Sequence, residues 1–206
     1  MNARDDVLAR LRAARGDTTA PAVPRDYRRT GETDPVRLAA LLTDRLLDYK
    51  SGVIPCPPAE LPAALRRLLA GIAPVAVPPD LPEGWLTGYP GVVVCDGEPR
   101  PFTMAELDGA GAVVTGCALA IAETGTLVLD AGPAQGRRAL TLVPDHHICV
   151  VHIGQVVATV PEALARLADP TRPLTFVSGP SATSDIELNR VEGVHGPRRL
   201  DVVLVS

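Results

Sequence analysis

Short runs of apolar residues, separated by turns rich in glycine, proline and polar side chains, restrict the folds that this chain can adopt. Several runs are almost entirely apolar instead of alternating with polar residues, which is typical of strands covered on both faces. The predicted strands are Val53–Cys56, Ala73–Val77, Gly91–Cys95, Ala112–Thr115, Ala118–Ala122, Thr126–Leu129, Leu140–Val143, Ile148–Ile153, Leu174–Val177 and Leu200–Val205. A sheet buried on both sides needs a layer on each side, so the pattern predicts a layered fold.

Apolar residues at helical spacing occur before and after the central strands. Helices are predicted at Asp5–Arg15, from Asp34 to Gly52, at Leu61–Ala70 and at Pro161–Leu167. Asp34 followed by Pro35 indicates a helix start, since a capping side chain precedes a proline in the first turn. Strands interleaved with helices at both ends predict an α/β fold in which helices cover the sheet.

The length of 206 residues suits one domain, or one domain and an arm. The segment from Gly16 to Thr33 has no apolar periodicity and contains Pro21 and Pro24, which is typical of a linker. We therefore expect an N-terminal helical arm and linker at residues 1–33 and a single α/β domain at residues 34–206. The arm is long enough to dock on a partner or on a second copy of the chain, so a homo-oligomer is among the expectations.

Charge and hydropathy argue against two classes of protein. The formal net charge of -4 argues against a generic nucleic-acid binder, which usually has a basic excess. No run of about 18 apolar residues occurs, so no membrane-spanning helix is expected. The first residues lack the apolar middle of a signal peptide and include Asp5 and Asp6, so we expect a cytoplasmic protein.

The cysteines are Cys56, Cys95, Cys117 and Cys149, and no two of them form a C-x-x-C pair. The usual sequence signals for zinc, iron–sulfur clusters and dithiol redox chemistry are therefore missing, and each cysteine is predicted to be a buried thiol. The chain also has no G-x-G-x-x-G after a strand, no G-x-x-x-x-G-K-[ST] and no G-x-S-x-G. No cofactor is predicted.

The segment from Ser178 to Arg199 follows a predicted strand and contains many donors for an anion. Its first residues are predicted to form a turn that leads into a helix, and in open α/β sheets such junctions lie where ligands bind. Free backbone N–H groups at a helix start attract phosphate or carboxylate. The candidate ligand-binding residues are Gly179, Ser181, Thr183, His195 and Arg198.

A structural interpretation of the same segment stays open beside the functional one. Ser184-x-x-Glu187 is a capping box, which would use two of the N–H groups within the helix. Asp185 and Glu187 would also repel an incoming anion. The residues alone leave ligand binding and helix capping as alternatives.

A second candidate site is the turn that follows the apolar stretch Ala118–Ala122. Glu123 interrupts that stretch, the hydroxyls of Thr124 and Thr126 lie beside it, and Arg137 follows a glycine-rich loop. A carboxylate in this position is either a turn residue in water or a functional group held at a sheet edge. We retain Glu123 as a candidate catalytic residue, with Thr124 and Arg137 as candidate ligand-binding residues.

The histidines do not form a local metal site in this pattern. His146 and His147 are adjacent, so on a strand they point to opposite faces. His146 and His152 would share a face but lie about 20 Å apart. A site would need His195 or a carboxylate brought in by the fold, so no metal is predicted.

Four motifs occur in a fixed order in the second half of the chain. They are A-E-T-G-T at Ala122–Thr126, P-D-H-H at Pro144–His147, S-G-P-S-x-T-x-D-I-E at Ser178–Glu187 and G-V-H-G-P-R-R at Gly193–Arg199. Together they resemble the lactate-utilisation protein C family (LutC or YkgG), whose domain is the LUD domain. The resemblance extends from about residue 35 to the end and is strongest over residues 112–206.

The resemblance implies a mostly parallel, Rossmann-like sheet covered by helices, similar to the NagB, ribose-5-phosphate isomerase and CoA-transferase group. It also implies a role in the oxidation of L-lactate to pyruvate, together with two iron–sulfur partner proteins. The chain itself has no cluster cysteines and no dinucleotide fingerprint. We therefore expect a non-redox component that binds a small anionic ligand or those iron–sulfur proteins.

Two other functions stay open. Glu123-Thr124-Gly125 resembles the Glu-Asn-Gly around the nucleophilic glutamate of some CoA-transferases, whose carboxylate attacks an acyl-CoA and forms an anhydride. Thr124 stands where that motif has asparagine. A free-standing enzyme of this type, or of the sugar-phosphate isomerase type, is one alternative, and a ligand-sensing or scaffold protein without catalysis is the other.

Overall fold

A computed structural model describes residues 2–16, 21–97, 99–169, 171–180, 182–183, 191–192 and 196–206. Its helices are α1 (Ala3–Arg15), α2 (Pro35–Asp48), α3 (Leu61–Leu68), α4 (Met104–Asp108), α5 (Arg138–Leu142) and α6 (Val160–Arg166). Its strands are β1 (Gly52–Cys56), β2 (Val75–Val77), β3 (Val93–Cys95), β4 (Ala112–Thr115), β5 (Leu119–Ile121), β6 (Thr126–Leu129), β7 (His146–His152), β8 (Val156–Val157), β9 (Thr175–Val177), β10 (Ala182–Thr183), β11 (Val191–Glu192) and β12 (Arg199–Val205).

Among the described residues, a six-stranded sheet has the strand order β1-β12-β7-β4-β2-β3. Every neighbouring pair in it is parallel. The central strands β7 and β12 are paired in register from His146 with Arg199 to His152 with Val205. The predicted α/β class with a mostly parallel sheet is confirmed.

Both faces of the six-stranded sheet are buried, as the unbroken apolar runs predict. One face packs against α3, and this core includes Leu61, Leu65, Val75, Ile148, Val150 and Val203. The opposite face packs against α2 and a second sheet, and this core includes Leu38, Leu42, Leu46, Leu127, Cys149 and Val202. Asp34 starts α2 as predicted, since its side chain accepts a hydrogen bond from the Val36 backbone N–H at 3.0 Å.

The second sheet has four strands in the order β8-β5-β6-β9. β5 and β6 form an antiparallel hairpin, β8 is parallel to β5, and β9 is antiparallel to β6. The end of β5, the start of β6 and the end of β9 therefore meet at one end of this sheet. Glu123 and Ser178, from the two segments that the sequence analysis singled out for ligand binding, lie at that end.

One predicted strand and the predicted burial of one cysteine are wrong. The apolar pattern predicts a strand at Leu140–Val143, but Leu140 lies within α5 and packs with Leu107 and Val113. A run of four apolar residues suits a buried helix turn as well as a strand, so its pattern does not distinguish the two. Cys95 is half-buried, whereas Cys56, Cys117 and Cys149 are buried as predicted.

The predicted strand before Ser178 is present as β9, but the residues that follow the predicted turn differ from the expectation. Ala182–Thr183 is a strand that pairs antiparallel with Val191–Glu192, where the turn was predicted to lead into a helix. The preceding strand β9 belongs to the second sheet, so Ser178 does not lie at the carboxyl end of a strand in the parallel sheet. The capping box Ser184-x-x-Glu187 lies outside the described residues.

The N-terminal helix α1 contributes no buried residue to either core. Asn2 starts it by accepting a hydrogen bond from the Asp5 backbone N–H at 3.0 Å. Within the described parts of the chain, no helix combines the length and the apolar character that crossing a membrane requires.

Candidate anion-binding site

The turn that carries Glu123 is fixed in place by its backbone. The Glu123 N–H donates to the Ala158 carbonyl at 3.1 Å, and the Ala122 N–H donates to the Val157 carbonyl at 2.8 Å. Gly125 has a positive φ of 59°, and a Cβ at this position would lie 2.8 Å from Cβ of Arg45. The turn is thus held between β8 and α2, while 32% of the Glu123 side chain stays exposed.

A chain of three hydroxyl groups joins the Glu123 turn to the segment that begins at Ser178. Oγ1 of Thr126 lies 2.7 Å from Oγ1 of Thr124 and 2.7 Å from Oγ of Ser178. The pairing of β6 with β9 produces this contact, because Leu127 stands opposite Val177 and the next pair outward is Thr126 and Ser178. The structure therefore places Ser178, the first residue of the second candidate segment, beside the Glu123 turn, and we call this group of side chains the hydroxyl site (Thr124, Thr126 and Ser178).

The N-terminal arm crosses the Glu123 turn. Nη2 of Arg28 donates to Oε2 of Glu123 at 2.5 Å, and this hydrogen bond, with the negative charge of Glu123, raises the pKa of Arg28. Sequence reasoning missed Arg28, because it lies in the segment predicted as a linker and is separated from Glu123 by 95 positions. Nothing in the local pattern of an arginine-rich chain distinguishes this arginine from its neighbours.

Three residues further along, the backbone of the arm is anchored on the start of α6. The Gly31 N–H donates to Oε1 of Glu162 at 3.2 Å. A Cβ on Gly31 would lie 2.5 Å from Cβ of Ala158, so the close approach requires glycine. Burial opposes ionisation of Glu162, but hydrogen bonds from the backbone N–H groups of Thr159 and Gly31 outweigh it and lower its pKa.

A cavity of about 350 Å³ lies on the other side of this anchor, between the arm, α2, β8 and α6. Its charged lining residues are Glu32, Glu162 and Arg166. Two carboxylates against one guanidinium make this cavity a poor site for an anion. The donors that suit an anion lie at the hydroxyl site and on Arg28.

The remaining candidates from the Ser178–Arg199 segment are only partly described. Gly179 is buried and has a positive φ of 78°, a conformation that favours glycine. Thr183 lies in β10. Arg198 is 68% exposed, with Nη1 3.5 Å from Oδ2 of Asp145. Ser181 and His195 lie outside the described residues.

Arg137 is engaged elsewhere. Its Nε and Nη2 donate to the two carboxylate oxygens of Asp96 at 2.7 and 3.1 Å, and Nη2 also donates to the Phe102 carbonyl at 2.5 Å. The hydrogen bonds with Asp96 raise the pKa of Arg137. These contacts fix the connection between β3 and α4, so the structure does not place the Arg137 donors on Glu123.

The P-D-H-H motif lies where β7 begins, at the amino-terminal ends of the strands of the parallel sheet. His146 Nε2 donates to Oδ2 of Asp201 at 2.7 Å, and Arg199 Nε is 2.8 Å from the same oxygen. Burial raises the pKa of Asp201, but the hydrogen bond from His146 and the charge of Arg199 outweigh that effect, so the pKa lies below its usual value. Gly52 stands opposite Asp201 in β1, and a Cβ on Gly52 would lie 1.9 Å from Oδ1 of Asp201.

The second histidine of the motif points to the other face, as predicted. The Thr115 hydroxyl donates to the Gly116 carbonyl at 2.9 Å and lies 2.8 Å from Nε2 of His147, so Nε2 is the protonated ring nitrogen. Nδ1 of His147 has no hydrogen-bond partner among the described residues. Full burial lowers the pKa of His147 to about 4, with His146 adding to the effect. Across the described ranges, no group of three or more His, Cys, Asp or Glu side chains is arranged to hold a metal ion.

Comparison with known proteins identifies the family. The model of the LUD domain family matches residues 81–205, which is more than half of the chain. A relative from Deinococcus radiodurans named "Lactate utilization protein C" is 54% identical over 166 residues, covering 79% of this chain and 77% of the relative. A relative of the same name from Geobacillus kaustophilus is 31% identical over 171 residues, covering 72% of this chain and 70% of the relative.

A solved structure supports the same assignment. The crystal structure of a DUF162 family protein from Deinococcus radiodurans is 44% identical in sequence and superposes with a TM-score of 0.74. The match covers 85% of this chain and 100% of that one. The resemblance drawn from the four ordered motifs is confirmed, and this chain belongs to the LUD domain family.

Proposed function

We propose that this chain is a component of an L-lactate utilisation system in which it binds a small anionic ligand at the hydroxyl site. The observation that carries the pathway is the 54% identity, over most of both chains, to a protein named for lactate utilisation. The widely spaced cysteines favour a non-redox role. Iron–sulfur partner proteins would then carry the electrons, and this chain would bind the ligand, the partners or both.

The arrangement of the three hydroxyls supports a role in binding. Thr124, Thr126 and Ser178 carry three hydroxyl protons, and the two contacts between them use two protons. If Thr126 donates to Ser178, the Ser178 proton points outward to a further acceptor. Thr126 also lies 3.4 Å from the Thr124 carbonyl, a long contact that competes weakly for its proton. Thr124 is exposed and Ser178 is half-buried, so a ligand in solvent reaches both ends.

Binding to purified protein tests the proposal. We expect isothermal titration calorimetry to detect L-lactate or pyruvate, and we expect Ser178→Ala to weaken binding about tenfold, since one hydrogen bond to a charged group contributes about 1.5 kcal/mol. Thr87→Ala is the matched control, because Thr87 is an exposed hydroxyl whose backbone carbonyl accepts from Arg66, beside α3. Binding of neither acid, or equal effects of the two variants, would contradict the proposed site.

The pathway is tested separately in cells. A strain that lacks only this chain should grow poorly on L-lactate, and iron–sulfur proteins should co-purify with the chain from lactate-grown cells. Normal growth of that strain on lactate would overturn the proposed pathway. The CoA-transferase-like and isomerase-like hypotheses stay predictions of the sequence, because the Glu123 carboxylate faces Arg28 in this structure.

A further inference from the structure

We propose that a cavity at the opposite end of the four-stranded sheet from the hydroxyl site binds an α-amino acid with an apolar side chain. This cavity, which we call the β5–α6 cavity, has a volume of about 300 Å³ and lies between the start of β5, the loop after β6 and the end of α6. Thr126 at the start of β6 belongs to the hydroxyl site, whereas Asp130 directly after β6 lines this cavity. The length of β6 therefore separates the two sites, and the inference does not depend on the proposed function.

Asp130 supplies a buried negative charge that its own hydrogen bonds do not require. The residue is 8% exposed, and its Oδ1 accepts from the Gly132 backbone N–H at 3.0 Å and from Nε2 of Gln135 at 2.8 Å. An asparagine would accept both hydrogen bonds without a charge. Among the described residues no donor reaches Oδ2 and no cation pairs with the carboxylate, yet Oδ2 is not fully enclosed and is accessible from the cavity. Because a buried charge without a partner is costly, a positively charged group of a ligand would be stabilising here.

Arg166, the last residue of α6, supplies a positive charge from the other side of the cavity. Its Nη2 donates to the Gly154 carbonyl at 3.0 Å, which positions the guanidinium and leaves the other N–H groups of its fork available. In the sheet β5 lies between β8 and β6, and Gly154 precedes β8 while Asp130 follows β6. The backbone segments that hold the two charges are thus two strand spacings apart, about 10 Å. The two side chains form no ion pair with each other, so a molecule with both charges can bridge them.

The rest of the lining suits an apolar side chain. Its apolar residues include Leu119, Pro133 and Leu167. The neighbouring Cys149 thiol and burial raise the pKa of the Cys117 thiol, so this lining residue stays neutral. One carboxylate and one guanidinium are then the charged groups of the described lining, which matches a zwitterion. An α-amino acid carries its ammonium, its carboxylate and its side chain on one carbon, and it is small enough for a cavity of this volume.

Isothermal titration calorimetry with the full chain tests the ligand class. The probes are L-leucine, leucinamide, which lacks the carboxylate, and 4-methylpentanoate, which lacks the ammonium. A further probe is 6-aminohexanoate, an isomer of leucine in which a chain of methylene groups separates the two charges. We expect L-leucine to bind and each of the other probes to bind at least tenfold more weakly, because each loses one of the two charged hydrogen-bonding contacts.

Substitutions locate the bound leucine. Asp130→Asn retains the acceptor for the loop donors and removes only the charge, so it should weaken leucine binding by about ten- to a hundredfold. Arg166→Gln should weaken binding about tenfold. Ala168→Leu, at an exposed lining position, fills the cavity without removing a hydrogen bond and should also weaken binding at least tenfold. Glu32→Gln is the matched control and should leave binding unchanged, because Glu32 lines the neighbouring 350 Å³ cavity, which Arg166 also borders.

Binding of L-leucine to wild type is the first requirement, and its absence overturns the proposal. Leucinamide or 4-methylpentanoate binding as tight as that of leucine overturns the zwitterion, and equally tight binding of 6-aminohexanoate overturns the α-amino acid. Leucine binding that Asp130→Asn leaves unchanged, or that Glu32→Gln weakens equally, overturns the site. Urea denaturation shows whether Asp130→Asn folds as wild type does. If it does not, unchanged leucine binding in Ala168→Leu overturns the site by itself.

Discussion

Charged and polar side chains are concentrated in two regions of this molecule, and the two regions differ in how deeply those side chains are buried. The histidine cluster (His146, His147, Asp201 and Arg199) lies at the amino edge of the parallel sheet, where His146 and Asp201 are only 7% and 6% exposed in their side chains. At the Glu123 turn the carboxylate is 32% exposed, and its partner Arg28 is 63% exposed. In the cluster His146 and Arg199 both pair with Asp201, and His147 contacts Thr115, whereas the turn leaves donors open to solvent. Polar residues in a motif therefore indicate ligand binding only where the fold leaves donors available.

Breaking the histidine cluster should produce the largest effect on stability. Asp201→Asn removes the charge from a buried acceptor shared by His146 and Arg199, and we expect a loss of about 3 kcal/mol in the free energy of unfolding. The matched control is Asp145→Asn, because the Asp145 side chain is 65% exposed in its pair with Arg198. This substitution should lower the free energy of unfolding by less than about 1 kcal/mol. Urea denaturation of both variants measures the difference. Equal losses would show that burial does not separate the two regions.

The pH dependence of stability sharpens the same comparison. The pKa of His147 is about 4 in the folded chain, against about 6.5 when unfolded, so the unfolded state takes up a proton first as the pH falls. Stability should therefore be complete above about pH 6.5 and decline by about 3 kcal/mol on going down to pH 4. The low pKa of Asp201 adds a further loss at still lower pH, as its carboxylate is protonated.

Two variants isolate the histidine contribution. His147→Gln should flatten the decline between pH 6.5 and pH 4, whatever its stability at neutral pH. His152→Gln should retain the decline, because His152 is exposed at the end of β7. Unfolding free energies measured by urea denaturation across this pH range provide the test. An unchanged slope in His147→Gln would mean that another group causes the acid sensitivity.

Loosening the arm should have the smallest effect on global stability. Gly31→Ala places a methyl group 2.5 Å from Cβ of Ala158, so the arm must move away from the Glu123 turn. We expect a change in unfolding free energy below about 0.5 kcal/mol and several times faster tryptic cleavage after Arg28. Gly154→Ala is the control, since nothing lies within 4 Å of a Cβ at that position. Faster cleavage in both variants, or in neither, would contradict the anchoring role of Gly31.

Much of the fold could be predicted because the sequence patterns that specify its strands and helix starts lie within a few neighbouring residues. The buried strands of the parallel sheet are short apolar runs, and Asp34-Pro35 marks the start of α2. Failures occurred where short segments depend on distant partners. Leu140 lies in a helix because of its packing against Leu107 and Val113, and Ala182–Thr183 is a strand because it pairs with Val191–Glu192.

The candidate site was predictable in its parts but not in its assembly. The hydroxyls beside Glu123 and the Ser178 turn were both identified from sequence, yet their contact depends on the pairing of β6 with β9 across 52 positions between Thr126 and Ser178. Arg137 pairs with Asp96, 41 positions away, and Arg28 takes the place beside Glu123 instead. Which arginine meets which carboxylate is decided by tertiary structure, and sequence spacing carries no information about it.

The close approach of Gly52 and Asp201 makes the substitutions tolerated at one of these positions depend on the residue at the other. No side chain can be added at position 52 while the carboxylate of residue 201 occupies that space, since even a Cβ would lie 1.9 Å from its oxygen. Substitution at 52 becomes tolerable only once 201 has changed to a smaller residue. Mutant libraries that vary only position 52 or only position 201 will therefore miss some sequences that fold. A library that randomises both positions together should contain folded pairs that neither single-position library includes.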